Sequence, residues 1–300
     1  MIGVVLGLVT GLLFAAGTVL ARVGQRNRPD DDGLVMTILV NVLVLGGLAL
    51  TVEAPTWNTS AIVALMVGGV LGSLLGRLTM LRAVRLVGPT RSSAFMTGSP
   101  VVAAIAGLVI LGEEVGAADG IGGLLVIGGL LALIRSQSTP TALVGNSPQL
   151  ATKRQVRIGY AFAAAAPLFF GLGFVVKKWG LLDYPEPVLG AFIGSAAAFS
   201  VVVLIDVGSR RLGRRVRDYS GNFPWWFVAA GVAMSGAILT QFAAFTHLPA
   251  WLVGVLQGTQ GLWALLMGWL FLRREEHIDR WVVASILLVL AGVVLIGLQM

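Results

Sequence analysis

Residues 92–114, SSAFMTGSPVVAAIAGLVILGEE, are echoed 162 positions later by residues 254–276, GVLQGTQGLWALLMGWLFLRREE. Each stretch is an apolar run that closes on two glutamates, Glu113-Glu114 and Glu275-Glu276, and Thr97 falls on Thr259. The same offset places Gly69-Val70 on Gly231-Val232, so three successive apolar runs lie over three others without a gap. Nearer the start, an offset of 156 brings Leu12, Phe14, Gly17, Val19 and Gly24 onto Leu168, Phe170, Gly173, Val175 and Gly180, and Arg22 onto Lys178. Two copies of one unit are therefore expected.

The apolar runs are approximately Met1–Ala21, Gly33–Val52, Ala61–Leu81, Ser92–Leu111 and Asp119–Ile134, then Ile158–Val176, Val188–Val207, Phe223–Phe245, Trp251–Leu272 and Trp281–Leu298. Of the 300 residues 57% are hydrophobic and 12% charged, about half the charge of an ordinary soluble domain. A helix needs roughly 20 apolar residues to cross a bilayer, and these runs approach that length. They lack the period-two alternation of barrel strands, which leaves helices as the way to satisfy the backbone in lipid. The expected fold is an all-α integral membrane protein, its ten transmembrane helices forming two inverted five-helix repeats around a central cavity. Residues 1–135 form the first repeat and 157–300 the second. The polar stretch 136–156, with Pro140, Pro148, Lys153 and Arg154, links them. Nothing basic precedes the opening run, and Arg22, Arg26 and Arg28 follow it, so it is expected to remain as the first helix rather than act as a signal peptide.

An odd number of helices per unit forces the second copy to enter the membrane upside down. The basic residues test this. Eighteen of the 21 lysines and arginines fall in the loops after helices one, three, five, seven and nine; Lys177 and Lys178 fall on the other face, and Arg77 falls within the third run. By the positive-inside rule those five loops are cytoplasmic and both termini lie outside. The net charge of +7 thus belongs to loops and headgroups, and nucleic acid is not an expected partner.

The segment Gly69–Ile134 resembles the EamA family of the drug/metabolite transporter superfamily, through Ser99-Pro100, Leu111-Gly112-Glu113, Gly122-Gly123 and Gly128-Gly129. The second half is similar at Leu248-Pro249-Ala250, Glu275 and Ala291-Gly292; it departs at Leu262, opposite Pro100, and at Arg274, opposite Gly112. The resemblance implies the ten-helix inverted-repeat fold, a cavity between the halves and alternating access. It also implies cytoplasmic termini, against the charge count, which we follow for this chain.

All 14 acidic residues lie in loops or at helix ends. The intramembrane carboxylate that a proton-coupled exporter of organic cations needs is therefore not expected, nor is magnesium carriage. Cysteine is absent, and His247 and His277 stand apart from any nucleophile, so neither an enzyme site nor a cofactor is expected. Arg77 either snorkels to the interface or meets an anionic substrate through bidentate hydrogen bonds. Gly254, Gln257, Gly258 and Gly261 share one helix face, with Gln260 adjoining; that face either packs closely on a neighbour or lines the cavity. Thr240 and Gln241 add polar groups at similar depth, Asn41 is expected to be structural, and Phe14 and Phe170 are candidate cavity walls. Pro100 and Pro167 are read as kinks or gating points inside helices.

The expected function is a secondary transporter, in a prokaryotic inner membrane, of a small neutral, zwitterionic or weakly anionic metabolite resembling an amino acid. The expected substrate contacts are Arg77, Thr240, Gln241, Gln257, Gln260, Phe14 and Phe170. The alternative is a non-transporting membrane scaffold or accessory subunit. The expected partners are the solute and membrane lipid, with the chain a monomer or homodimer. If the charge bias sets orientation, an impermeant thiol reagent added outside cells labels a cysteine placed at Gly112 and spares one at Gly213. The reverse pattern would refute this orientation.

Overall fold

The computed structural model describes residues 1–28, 31, 33–87, 92, 95–96, 98–114, 116–136, 153–208, 218–219, 223–272 and 280–297. Among the described residues every regular element is helical. The chain opens with α1 (Ile2–Asn27), α2 (Leu34–Ala49) and α3 (Thr59–Gly69), and α3 runs through a π-helical stretch, Val70–Gly76, into α4 (Arg77–Val87). Then come α5 (Ser99–Leu111), α6 (Ala117–Ser136), α7 (Lys153–Asp183), α8 (Pro187–Gly208) and α9 (Trp225–Phe245). The chain ends with α10 (Ala250–Gly258), α11 (Gln260–Leu272) and α12 (Arg280–Gly297). Most of the linker expected at 136–156, the basic stretch 209–217, and Glu275, Glu276 and His277 lie outside the described residues.

Five helices are long and apolar enough to cross a membrane: Ile2–Asn27, Thr59–Val84, Arg154–Asp183, Pro187–Gly208 and Trp225–Phe245. Leu34–Ala49, Ser99–Leu111, Gly120–Ala132 and Val283–Leu295 are shorter apolar helices. Their outward faces are as apolar as their inward ones: Ile105, Val109, Leu204, Leu287 and Leu290 are exposed. A helix that is hydrophobic all round suits lipid as its surroundings.

Local chemistry places the ends. Asn58 caps α3, its side chain accepting from the Ala61 N–H at 3.2 Å. Pro187 opens α8, where its missing N–H costs no helical bond. Gly112 takes φ +64° after α5, the left-handed conformation that closes many helices. Three expectations change. Pro100 sits in the first turn of α5, where no intrahelical bond is lost and no kink is forced; Pro167 lies inside α7. The sixth run does not end at Val176, because α7 continues to Asp183 with no proline to stop it. The ninth run is two helices, parted at Thr259, whose hydroxyl donates back to the Leu256 carbonyl at 2.6 Å.

The helices meet through glycines. Gly17 of α1 rests on Ala230 and Met234 of α9, and Gly24 on Phe227. In α7, Gly173 rests on Gly68 and Gly72, and Gly180 on Ala61 and Leu65. Gly129 of α6 faces Ser285 and Val289 of α12, while Gly292 of α12 faces Gly122 and Val126. The tightest approach is Gly69 to Gly194, between α3 and α8, where a β-carbon on Gly69 would run into the Gly194 backbone. Small residues are what allow helices to associate without help from water. Gly69→Ala should therefore lower the melting temperature of the purified protein, by an overpacking cost of about 1–3 kcal/mol. Gly128, with open space around it, supplies the neutral control Gly128→Ala.

Candidate functional site

Helix α7 carries two adjacent lysines that part company. Successive residues of a helix point about 100° apart, so both cannot face the same neighbour. Lys177 is 3% exposed. Its aliphatic stem lies against Gly68 and its ammonium donates to Gln241 Oε1 at 3.3 Å, 5.5 Å from the centre of the Phe242 ring. Gln241, itself 1% exposed, donates through Nε2 to Gln257 Oε1 in a short hydrogen bond. One polar chain therefore joins α7, α9 and α10. A cation this deep costs about 2.5–3.5 kcal/mol on insertion scales at a helix centre.

Lys178 turns the other way. Its Nζ lies 2.8 Å from Glu113 Oε1 and donates to the Leu248 carbonyl at 2.7 Å. Glu113 follows the left-handed Gly112, its N–H returning to the Gly107 carbonyl at 3.1 Å. Its carboxylate accepts from the Ala250 N–H at 2.8 and 3.1 Å, at the start of α10, where the helix dipole favours negative charge. The pair ties the end of α5 to α7 and to the α9–α10 turn.

Of the expected substrate contacts, Gln241 and Gln257 are joined in the Lys177 chain, and Gln260 begins α11 half-buried. Thr240 bonds across to Thr10 of α1, the hydroxyls 2.9 Å apart, and each also reaches a carbonyl of its own helix. It is thus engaged in helix packing. Arg77 stands directly after the π-helical stretch and donates from Nη2 to Met234 Sδ at 3.1 Å, outside the Lys177 chain. Phe170 lies against Gly76 at the end of that stretch, and Phe14 packs half-buried on the main apolar core. Asn41 is structural, as expected: in the amide orientation that satisfies its neighbours, its nitrogen lies 3.0 Å from the Thr37 and Gly231 carbonyls and Ser235 Oγ.

Sequence reasoning missed Lys177 and the Glu113–Lys178 pair. The available signal was a Lys-Lys step on a face otherwise almost free of basic residues, with no proline between it and Pro185 to end the helix. At one end of the molecule a pocket of about 280 Å³ is lined by Asn27, Arg28 and the aromatic run Phe223–Phe227. Exposed Trp225 and Trp226 give it the character of a membrane-interface belt.

These features define a polytopic helical membrane protein with a polar chain buried in its interior. The sequence model of the EamA-like transporter family matches residues 1–135 and 157–298, and the chain belongs to that family. It is accordingly an integral membrane protein, and the family's members are transporters rather than enzymes. Comparison with curated proteins gives no match. A crystal structure with 17% identity superposes with a TM-score of 0.73, covering 99% of this chain and 96% of the other, and so has a similar fold.

If Glu113 and Lys178 act as a buried pair, each single alanine substitution should destabilise the protein by more than the double substitution implies for independent residues. A double-mutant cycle in melting temperature should give a coupling of about 0.5–3 kcal/mol. Additive effects would mean the contact contributes no mutual stabilisation.

Proposed function

We propose that this protein is a secondary carrier that moves a small amino-acid-like metabolite by alternating access, through a cavity between two inverted five-helix repeats. Residues 1–135 and 157–300 form the repeats, joined by 136–156. The observation that carries the reading is the pattern of glycine contacts. Exchanging α1 for α7 at an offset of 156, and α9 for α3 and its π-helical extension at 162, turns the contacts of Gly17 with Ala230 and Met234 into those of Gly173 with Gly68 and Gly72. The same exchange turns Gly24 on Phe227 into Gly180 on Leu65. For α6 and α12 the contacts exchange at 163, one residue more than the ungapped alignment gives. Contacts that exchange in this way between the halves support the construction from which inverted-repeat transporters draw two equivalent closed states.

The ten crossings are α1, α2, α3 with α4, α5, α6, α7, α8, α9, α10 with α11, and α12. The ninth run is broken at Thr259, and interrupted helices mark substrate sites in such carriers. The substrate contacts are Gln257, Gln260 and Gln241, the set extending to Phe14, Phe170, Thr240 and Arg77, and Pro167 is the flexing point of α7. The basic loops lie in the cytoplasm of a prokaryotic cell, and the working unit is a monomer or homodimer.

Reconstituted into liposomes, the protein should take up at least one member of a broad metabolite panel, and Gln257→Leu should abolish that flux while leaving the protein folded. Failure of every solute to move through intact protein would sink the carrier reading in favour of a scaffold.

A further inference from the structure

The interior polar chain has a direction. An ammonium can only donate, so Gln241 must present Oε1 to Lys177 and Nε2 to the next acceptor, which is Gln257 Oε1. That orientation leaves the Gln257 amide nitrogen as the onward end of the chain. Lys177 has three N–H bonds to give, and among the described residues one long bond to a neutral amide and the face of Phe242 are its contacts. Glu113 is held by Lys178. Both ends of the chain are therefore donors, and among the described residues no acceptor of negative charge stands between them. The ammonium lies close to helix α3's continuation: a β-carbon on Gly72 would stand 3.3 Å from Lys177 Nζ, so glycine is what lets the charge reach this position. The π-helical stretch Val70–Gly76 supplies this glycine, and such distortions of a helix recur at functional sites.

We infer that Lys177, with the amides of Gln241 and Gln257, is an anion-binding centre that takes the carboxylate of the transported solute. The inference rests on the carrier reading above and narrows it: solutes bearing a carboxylate are held, and their neutral counterparts are not. A single ammonium backed by two amides matches one negative charge. A phosphate carries nearly two charges at neutral pH, more than one ammonium balances. Arg77 is not part of the chain.

The test uses the full-length protein in detergent and a panel of paired probes of increasing size, each an amino acid or monocarboxylate beside its own carboxamide, with inorganic phosphate as a third arm. Carboxylates should raise the melting temperature and their carboxamides should not. Lys177→Gln should weaken carboxylate binding by about tenfold or more, as loss of a charge-assisted hydrogen bond implies, and Lys177→Arg should restore part of it. Equal stabilisation by acids and amides, stabilisation by phosphate alone, no response to any carboxylate, or unchanged binding by Lys177→Gln would each overturn the assignment. Should Lys177→Gln fail to fold, the acid-against-amide comparison on the native protein decides. Liposome flux separates this from the parent reading. Neutral solutes moving through Lys177→Gln as well as carboxylates did through the native chain would leave a carrier without this site, whereas carboxylate binding with no flux of any solute would leave the site without a carrier.

Discussion

Hydrocarbon offers a peptide group no partner, so each N–H and C=O within a bilayer must be satisfied inside its own segment. That constraint makes the chain helical and removes the force that packs helices in water, since lipid tails are as apolar as leucine. What remains is close contact and interhelical hydrogen bonding. Gly17, Gly24, Gly173 and Gly180 bring backbones against α9 and α3, while Thr10–Thr240 ties α1 to α9 and Asn41–Ser235 ties α2 to α9. An interior held together in this way is costly to leave half-satisfied, which is why a buried ammonium with one long hydrogen bond stands out against it.

The features legible in the sequence were those that repeat along it. Apolar runs follow from the solvent, and the offsets of 156 and 162 line up residues that make matching contacts, so Gly17 and Gly173 could be paired before any contact was known. Asn41 was legible as structural because a short amide within an apolar run has few uses beyond bridging. Gln241 and Gln257 were legible as polar groups at plausible depth, but that they touch each other was not.

What escaped depends on where a helix stops and how it turns. Lys177 looked like a loop residue because the apolar run ends at Val176, yet a helix ends where backbone bonding ends, and α7 continues for seven more residues to Asp183. The π-helical stretch before Arg77 rotates α4 relative to α3, a shift without a compositional signal. It sends Arg77 towards Met234. Pro100 looked like a kink because the fourth run is apolar on both sides of it; the helix instead begins one residue earlier, at Ser99.

The two registers also show where the halves differ. Positions corresponding to Lys177, Gln241 and Gln257 in the first half are Ala21, Thr79 and Phe95, and Thr79 spends its hydroxyl on the Leu75 carbonyl of its own helix. The polar chain is therefore built from one half, while the other offers it Gly68 and Gly72, the small residues that let the lysine stem and its charge lie close. Packing that can alternate needs the halves alike, because each must take the place of the other. Recognition needs them unlike, because a solute with distinct ends is held in one orientation only by a site with distinct sides. In the carrier proposed above, three polar residues on the second half facing glycines of the first would meet both demands at once: the packing would stay interchangeable and the chemistry one-sided.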